Sequence, residues 1–138
     1  GDYRFMTWEQ VRTLRDAGMT VGSHTLTHAI VTRLHGDLRV WEVLGAKRAC
    51  EAALNEPCPA FAYPNGRVGD FSEGTSSLLR WLDISCALTT VQGLNTPGDA
   101  LLTLKRMGVG DATTVAELEA QMSGFMAWAL GLLARLRP

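Results

Sequence analysis

Between residues 7 and 109 the chain alternates helix-forming stretches with short apolar runs, and this alternation limits the fold more than any other feature. Thr7-Trp8-Glu9-Gln10 has the form of a capping box, with Thr7 as N-cap and Gln10 at the third helical position. Val11, Leu14 and Ala17 give that helix a short apolar stripe, and Gly18 stands where a left-handed C-terminal residue belongs. Residues 19–22 read as a short buried strand ending in glycine. Asp37 is placed to cap a second helix reaching about Asn55. Its apolar face is drawn from Leu38, Trp41, Val43, Leu44, Ala49, Ala53 and Leu54, and its polar face from Arg39, Glu42, Lys47, Arg48 and Glu51. Residues 60–63 read as a strand broken by the turn Pro64-Asn65-Gly66. A third helix over residues 72–82 points Leu78, Leu79 and Leu82 inward. Strands follow over 84–90 and 101–109, separated by a loop at 92–99. The order helix, strand, helix, strand, helix, strand, strand predicts an α/β fold with mostly parallel strands.

The tail differs. Thr114-Val115-Ala116-Glu117 is another capping box. Val115, Leu118, Met122, Phe125, Met126, Ala129, Leu132, Leu133 and Leu136 then recur at helical spacing. A long amphipathic helix over residues 111–138 is expected to pack on a domain formed by residues 1–110. Its apolar stretch, residues 124–134, is too short to span a bilayer, so no membrane span is expected.

At 138 residues the chain has room for one domain with one core. A net charge of −1 provides no electrostatic case for nucleic acid or an anionic membrane. Cys50, Cys58 and Cys86 form no CxxC pair, and buried thiols are the expectation. The chain opens in mid-pattern without a starting Met, as a fragment or a processed form would.

Ser23-His24-Thr25-Leu26-Thr27-His28 is the stretch with the most chemistry. Imidazoles four residues apart fall on one face of a helical turn, where both can reach one ion. Neutral imidazole is the commonest side-chain ligand for zinc and similar metals. The spacing by itself also arises by chance in a chain with three histidines. His24 and His28 follow a predicted strand, at the end where α/β folds collect ligands. Within the segment, Thr25 and Thr27 can bond locally to fix the turn, and Ser23 can cap it.

Three blocks together resemble the polysaccharide deacetylases, the NodB-homology enzymes of carbohydrate esterase family 4. The first runs from Met6-Thr7-Trp8-Glu9-Gln10 to the His24–His28 segment, similar to the family's H-[ST]-x-x-H metal motif with its upstream helix. The second, Phe61-Ala62-Tyr63-Pro64-Asn65-Gly66, is similar to a version of the family's third motif. The third combines Ala87-Leu88-Thr89-Thr90 and Gly93-Leu94-Asn95 with Leu104-Lys105-Arg106-Met107-Gly108-Val109. The resemblance implies part of a distorted (β/α) barrel lacking its first strand or strands, and hydrolysis of N-acetyl or O-acetyl groups on a polysaccharide. It implies His24 and His28 as ligands to a divalent metal, with zinc expected. It further implies the Asn65 backbone N–H as an oxyanion donor, and Tyr63, Pro64 and Asn65 as the sugar-binding wall. An extracytoplasmic or cell-envelope setting is expected for the parent protein.

The departures are as informative. The family's T-F-D-D motif, which supplies a catalytic base and a third ligand, is not in the chain. Leu104-Lys105-Arg106 lacks the usual histidine acid, and Ala62 stands where an arginine would hold the base. Two ligands predict weak metal binding and no placed base for water. His35 is a further candidate or a solvated loop residue, and Asp70 faces the groove or closes a turn. The alternative function is a non-catalytic glycan- or partner-binding module on the same fold. Missing strands would leave an open sheet edge, so self-association through that edge is expected.

Overall fold

The structure is a computed structural model and describes residues 4–124. Helix α1 spans Trp8–Asp16 with the expected capping box: the Gln10 N–H donates to Thr7 Oγ1 and the Thr7 N–H to Gln10 Oε1. It closes through Gly18, at φ 91°, with the Met19 N–H bonded to Leu14 O and the Gly18 N–H to Arg15 O. The helix buries no side chain fully. Arg12 and Arg15 moor it instead, donating to Ala53 O (3.0 Å) and Leu54 O (2.8 Å) in the last turn of the next helix. Cations there meet the negative end of the helix dipole and satisfy carbonyls that have no intrahelical partner.

Residues 19–22 do not form the predicted buried strand. Met19 is 58% exposed, and a single rung joins this segment to the sheet, Ser23 bridging Phe61 in parallel. The Ser23 N–H donates to Ala60 O and the Ala62 N–H to Ser23 O, both at 2.9 Å. Gly22 lies so close that a Cβ would sit 3.0 Å from Ala60 O.

A 3-10 turn at Val31–Arg33 leads to helix α2, Gly36–Leu54. Its N-cap is His35, not Asp37; Asp37 falls in the first turn, where its charge faces the positive helix end. Asn55 ends the helix where expected, and it does so in the left-handed region. The predicted faces are partly wrong. Val43, Ala46 and Leu54 are buried, but Leu38 and Trp41 are exposed and Glu42 is only 4% exposed.

Strands β1 (Ala60–Ala62), β2 (Cys86–Gln92) and β3 (Leu104–Arg106) form a parallel sheet in that order. Helix α3, Glu73–Trp81, connects β1 to β2 and carries a capping box between Ser72 and Thr75. The core gathers Val31 and Val43 from one side, Phe61, Tyr63 and Ala87 from the sheet, and Leu79, Leu82, Ile84 and Leu102 from the other elements. The predicted strand at 101–109 is shorter, because Leu101–Thr103 winds into a 3-10 turn first. Cys50, Cys58 and Cys86 are free thiols; Cys58 is buried and the other two are half-buried.

The outer edge of β3 is covered by the loop before it. Asn95 donates to Lys105 O and accepts from the Lys105 N–H, both at 2.9 Å, so one side-chain amide pairs both backbone groups of that residue. Lys105 Nζ adds bonds to Leu94 O and Asp99. This guards the β3 edge, and not the edge beside Ser23.

Helix α4, Val115–Met122, has the expected Thr114–Glu117 capping box but stops at Ser123, followed by Gly124 at φ 76°. The rest of the predicted long helix, residues 125–136, lies outside the described residues. No helix among the described residues is long and apolar enough to cross a membrane.

Replacing Asn95 with Ala frees the Lys105 N–H and C=O. The variant is expected to self-associate more than the wild type, as a concentration-dependent rise in mass by sedimentation velocity. An unchanged mass distribution would show that Asn95 does not guard the edge.

Candidate metal centre

His24 and His28 leave the carboxyl end of the Ser23 rung on a bend, not on the helical turn predicted from their spacing. Thr25 (φ 59°) and His28 (φ 62°) both take left-handed backbone conformations, which reverse the chain within a few residues. The bend still brings the imidazoles together, with ring centroids 4.8 Å apart and planes at 73°. Both residues are exposed. His24 Nδ1 lies 2.7 Å from Ala62 O. A carbonyl only accepts, so Nδ1 carries the proton and the Nε2 lone pair is left free. The third-motif strand therefore fixes the tautomer of the first histidine.

The bend is held by a residue that sequence reasoning assigned to the polar face of α2. Glu42 Oε2 accepts from the N–H groups of Leu26 (2.8 Å) and Thr27 (2.9 Å), and Oε1 accepts from Thr27 Oγ1 (2.6 Å). Burial pushes the Glu42 carboxyl up, but the bonds from Thr27 and Leu26 outweigh it and hold it below its ordinary value. The available signal was position: Glu42 is flanked by Trp41 and Val43 in a helix with no clean polar stripe. Gly45 completes the seat, since a Cβ there would stand 2.4 Å from Leu26 Cδ1. Thr27 fixes the turn as expected. Ser23 does not cap it; its hydroxyl faces Ala60 O at 3.5 Å. Thr25 Oγ1 is buried without a partner among the described residues.

Two of the predicted sugar-contacting side chains are core residues. Tyr63 is 1% exposed; its ring packs against Phe61 and Phe71, and its hydroxyl donates to Leu102 O at 3.0 Å. Pro64 is fully buried. Neither ring is available to stack on a sugar, because the strand turns them toward the interior before the chain reverses. Asn65 is the exposed residue of the trio, at φ 58°. Its N–H has no bonded acceptor among the described residues. Its carbonyl accepts from Thr90 Oγ1 at 2.6 Å, while the Thr90 N–H donates to Gly66 O at 2.8 Å. Gly66 (φ 64°) permits this approach, since a Cβ would lie 2.9 Å from Thr90 N.

The other candidates fall away. His35 is the exposed N-cap of α2, and Asp70 closes a turn by accepting from the Arg67 N–H at 3.0 Å. Among the described residues no group of three or more His, Cys, Asp and Glu gathers in a metal-binding arrangement. The site is thus two imidazoles and an exposed backbone donor at one end of a parallel sheet.

Residues 1–83 match the sequence model of the polysaccharide deacetylase family. The chain belongs to this family. Solved NodB-like deacetylases share its α/β fold. The deacetylase PplD of Streptococcus pyogenes, in complex with acetate, is 25% identical with a TM-score of 0.78, over 85% of this chain and 50% of that one. A polysaccharide deacetylase from Bacillus cereus is 25% identical with a TM-score of 0.72, over 85% of this chain and 36% of that one. IcaB from Ammonifex degensii is 25% identical with a TM-score of 0.69, over 83% and 52%. The chain thus spans half or less of the length of the first two. No curated protein matches it in sequence.

In this chain the Glu42 bonds set a stability term with a defined pH dependence. The carboxyl ionises more readily folded than unfolded, so its contribution is complete above its ordinary value of 4.5 and is lost as pH falls through its lower folded value. Glu42→Ala, which orphans three donors, is expected to cost about 2–4 kcal/mol at neutral pH. Urea unfolding of the wild type and Glu42→Gln from pH 7 to pH 3 should show a shallower acid decline in the variant.

Proposed function

We propose that this chain is the portion of a metal-dependent polysaccharide deacetylase that supplies two histidine ligands and an oxyanion donor for removing acetyl groups from a glycan. Residues 1–110 would belong to the catalytic (β/α) barrel, of which the observed sheet would be a segment, with residues 111–138 packing on it as a helix. The observation that carries this reading is the His24 Nδ1–Ala62 bond. It leaves Nε2 as the ring nitrogen free for an ion, at the strand end that also presents the Asn65 N–H.

The donors fit a borderline divalent ion such as zinc, which favours imidazole nitrogen. His24 and His28 would hold it. When bound, the ion acidifies a water and polarises an acetyl carbonyl. The chain's own residues do the rest. Glu42 holds the bend that aims His28. Ala62 holds His24 in the ligating tautomer. The Asn65 N–H donates to the carbonyl oxygen as that oxygen gains charge, the arrangement that lowers the barrier to acyl transfer. Tyr63 and Pro64 keep the bend rigid from beneath. This reading assigns the third ligand and the base to a segment that the 138 residues do not contain. Acetate, bound in the Streptococcus pyogenes relative, is the product such a reaction would release.

The incomplete ligand set among the described residues favours one other reading, a glycan-binding module without hydrolysis.

His24→Ala and His28→Ala are each expected to abolish zinc uptake by this chain, measured by elemental analysis after gel filtration. Undiminished zinc in either variant would reject that residue as a ligand. Acetate release from an acetylated chitooligosaccharide by the parent protein, absent in its His24→Ala form, separates the enzyme from the binding module.

A further inference from the structure

A second feature opens at the same end of the sheet as the histidines. A cleft of about 260 Å³ lies over the carboxyl ends of β2 and β3, lined by Thr90, Gln92, Arg106, Met107 and Gly108. Thr90, on its wall, is the residue whose hydroxyl bonds Asn65 O, so the cleft borders the bend that carries the oxyanion donor. Its volume is just below the range of about 300–1,000 Å³ typical of drug-sized sites, which suits one sugar-sized ring.

The lining has a consistent hydrogen-bonding polarity. Arg106 Nε is tied to Thr89 O at 2.8 Å, which orients the guanidinium and leaves its Nη groups to the cleft. Among the described residues no carboxylate pairs with Arg106. Gln92 Oε1 is taken by the Gly108 N–H at 2.9 Å, which leaves the Gln92 amide nitrogen as a donor. No acidic residue lines the cleft. A free amide donor beside an oriented guanidinium that has no carboxylate partner among the described residues selects a ligand that brings acceptor oxygens and negative charge. The planar fork matches a carboxylate best.

We propose that this cleft is a subsite for a carboxylate-bearing sugar, adjacent to the acetylated sugar presented at Asn65. The polysaccharide acted on is then acidic, with Arg106 as its specificity determinant and Gln92 as a supporting donor. The placement beside an acetylated ring rests on the deacetylase reading above; the preference for an acidic glycan does not.

Calorimetric titration of the 138-residue chain tests this with two metal-free probes. One is neutral chitotetraose; the other is a tetrasaccharide alternating N-acetylglucosamine with a uronic acid. The acidic probe is expected to bind about tenfold tighter, the worth of one charge-assisted pair. That advantage should shrink as salt is raised. Arg106→Gln should bring the acidic probe down to the neutral one. Gln92→Ala, which leaves the guanidinium in place, should weaken both probes and keep the preference. Equal binding of the two probes by the wild type, binding of neither, or a preference that survives Arg106→Gln would each overturn the proposal. His24→Ala separates it from the metal site. A preference retained in that variant while zinc uptake is also retained leaves the subsite standing and the metal reading rejected. Zinc uptake lost in that variant, with no preference in the wild type, does the reverse.

Discussion

One carboxylate, buried without a cationic partner among the described residues, holds the histidine segment in shape. Removing a charge from water costs several kcal/mol, and Glu42 offsets that cost only by receiving two backbone N–H groups and one hydroxyl from the bend. The bend has its own cost. Thr25 and His28 sit in a backbone region that side chains avoid, at about 1–3 kcal/mol each. Each cost is met by the same three bonds. Without Glu42, the strained conformation would have nothing to hold it. Without the bend, the carboxylate would have no reason to stay buried.

From that anchor the contacts run across the sheet. Glu42 on α2 fixes Leu26 and Thr27; His24 reaches Ala62 on β1; Thr90 on β2 binds Asn65; Arg106 on β3 binds Thr89. The parallel arrangement is what makes this possible, because each strand finishes at the same end and each successive loop meets its neighbour there. The proposed ligands, the proposed oxyanion donor and the cleft beside Arg106 therefore share one surface, although they come from segments far apart in the chain. A displacement at any strand end would be felt by the next through a hydrogen bond shorter than 3 Å.

The parts legible in the sequence are those decided by near neighbours. The capping boxes at Thr7 and Thr114 form where residue types three apart satisfy the first free N–H groups, and Gly18 and Asn55 end helices through their own backbone freedom. The order of elements followed for the same reason, as did the pairing of His24 with His28. What failed depends on distant partners. Whether residues 19–22 count as a strand depends on how many rungs they make, and they make one. Tyr63 was expected at a sugar-binding wall because its block is similar to the family's third motif; the core's need to fill the space beside Phe61 and Phe71 decided otherwise. Glu42 was misplaced because helical periodicity treats a carboxylate as solvent-facing. Only the loop lying against that helix reveals it as an internal ligand for backbone amides. The histidine spacing brought the two rings together as expected but through a different local geometry, since a bend with two left-handed residues and a helical turn both return the chain within four positions.

The two sides of the sheet are treated differently, and the difference bears on the chemistry. Beyond β3 the side chain of Asn95 takes up the backbone groups of Lys105, so extension on that side is blocked by the chain itself. Beyond Ser23 no such device exists among the described residues. Ser23 spends its own N–H and C=O on β1, and in an extended segment the groups of its neighbours point the opposite way. The N–H groups of Gly22 and His24 have no bonded acceptor among the described residues. A further strand can therefore add beside Ser23 and not beside β3. Added in parallel, it would bring its carboxyl end beside His24 and His28, where the proposed two-nitrogen set would need its remaining donors. The sheet is thus closed where it borders the sugar-sized cleft and extensible beside the segment that carries the histidines, the asymmetry that the proposed metal site would need.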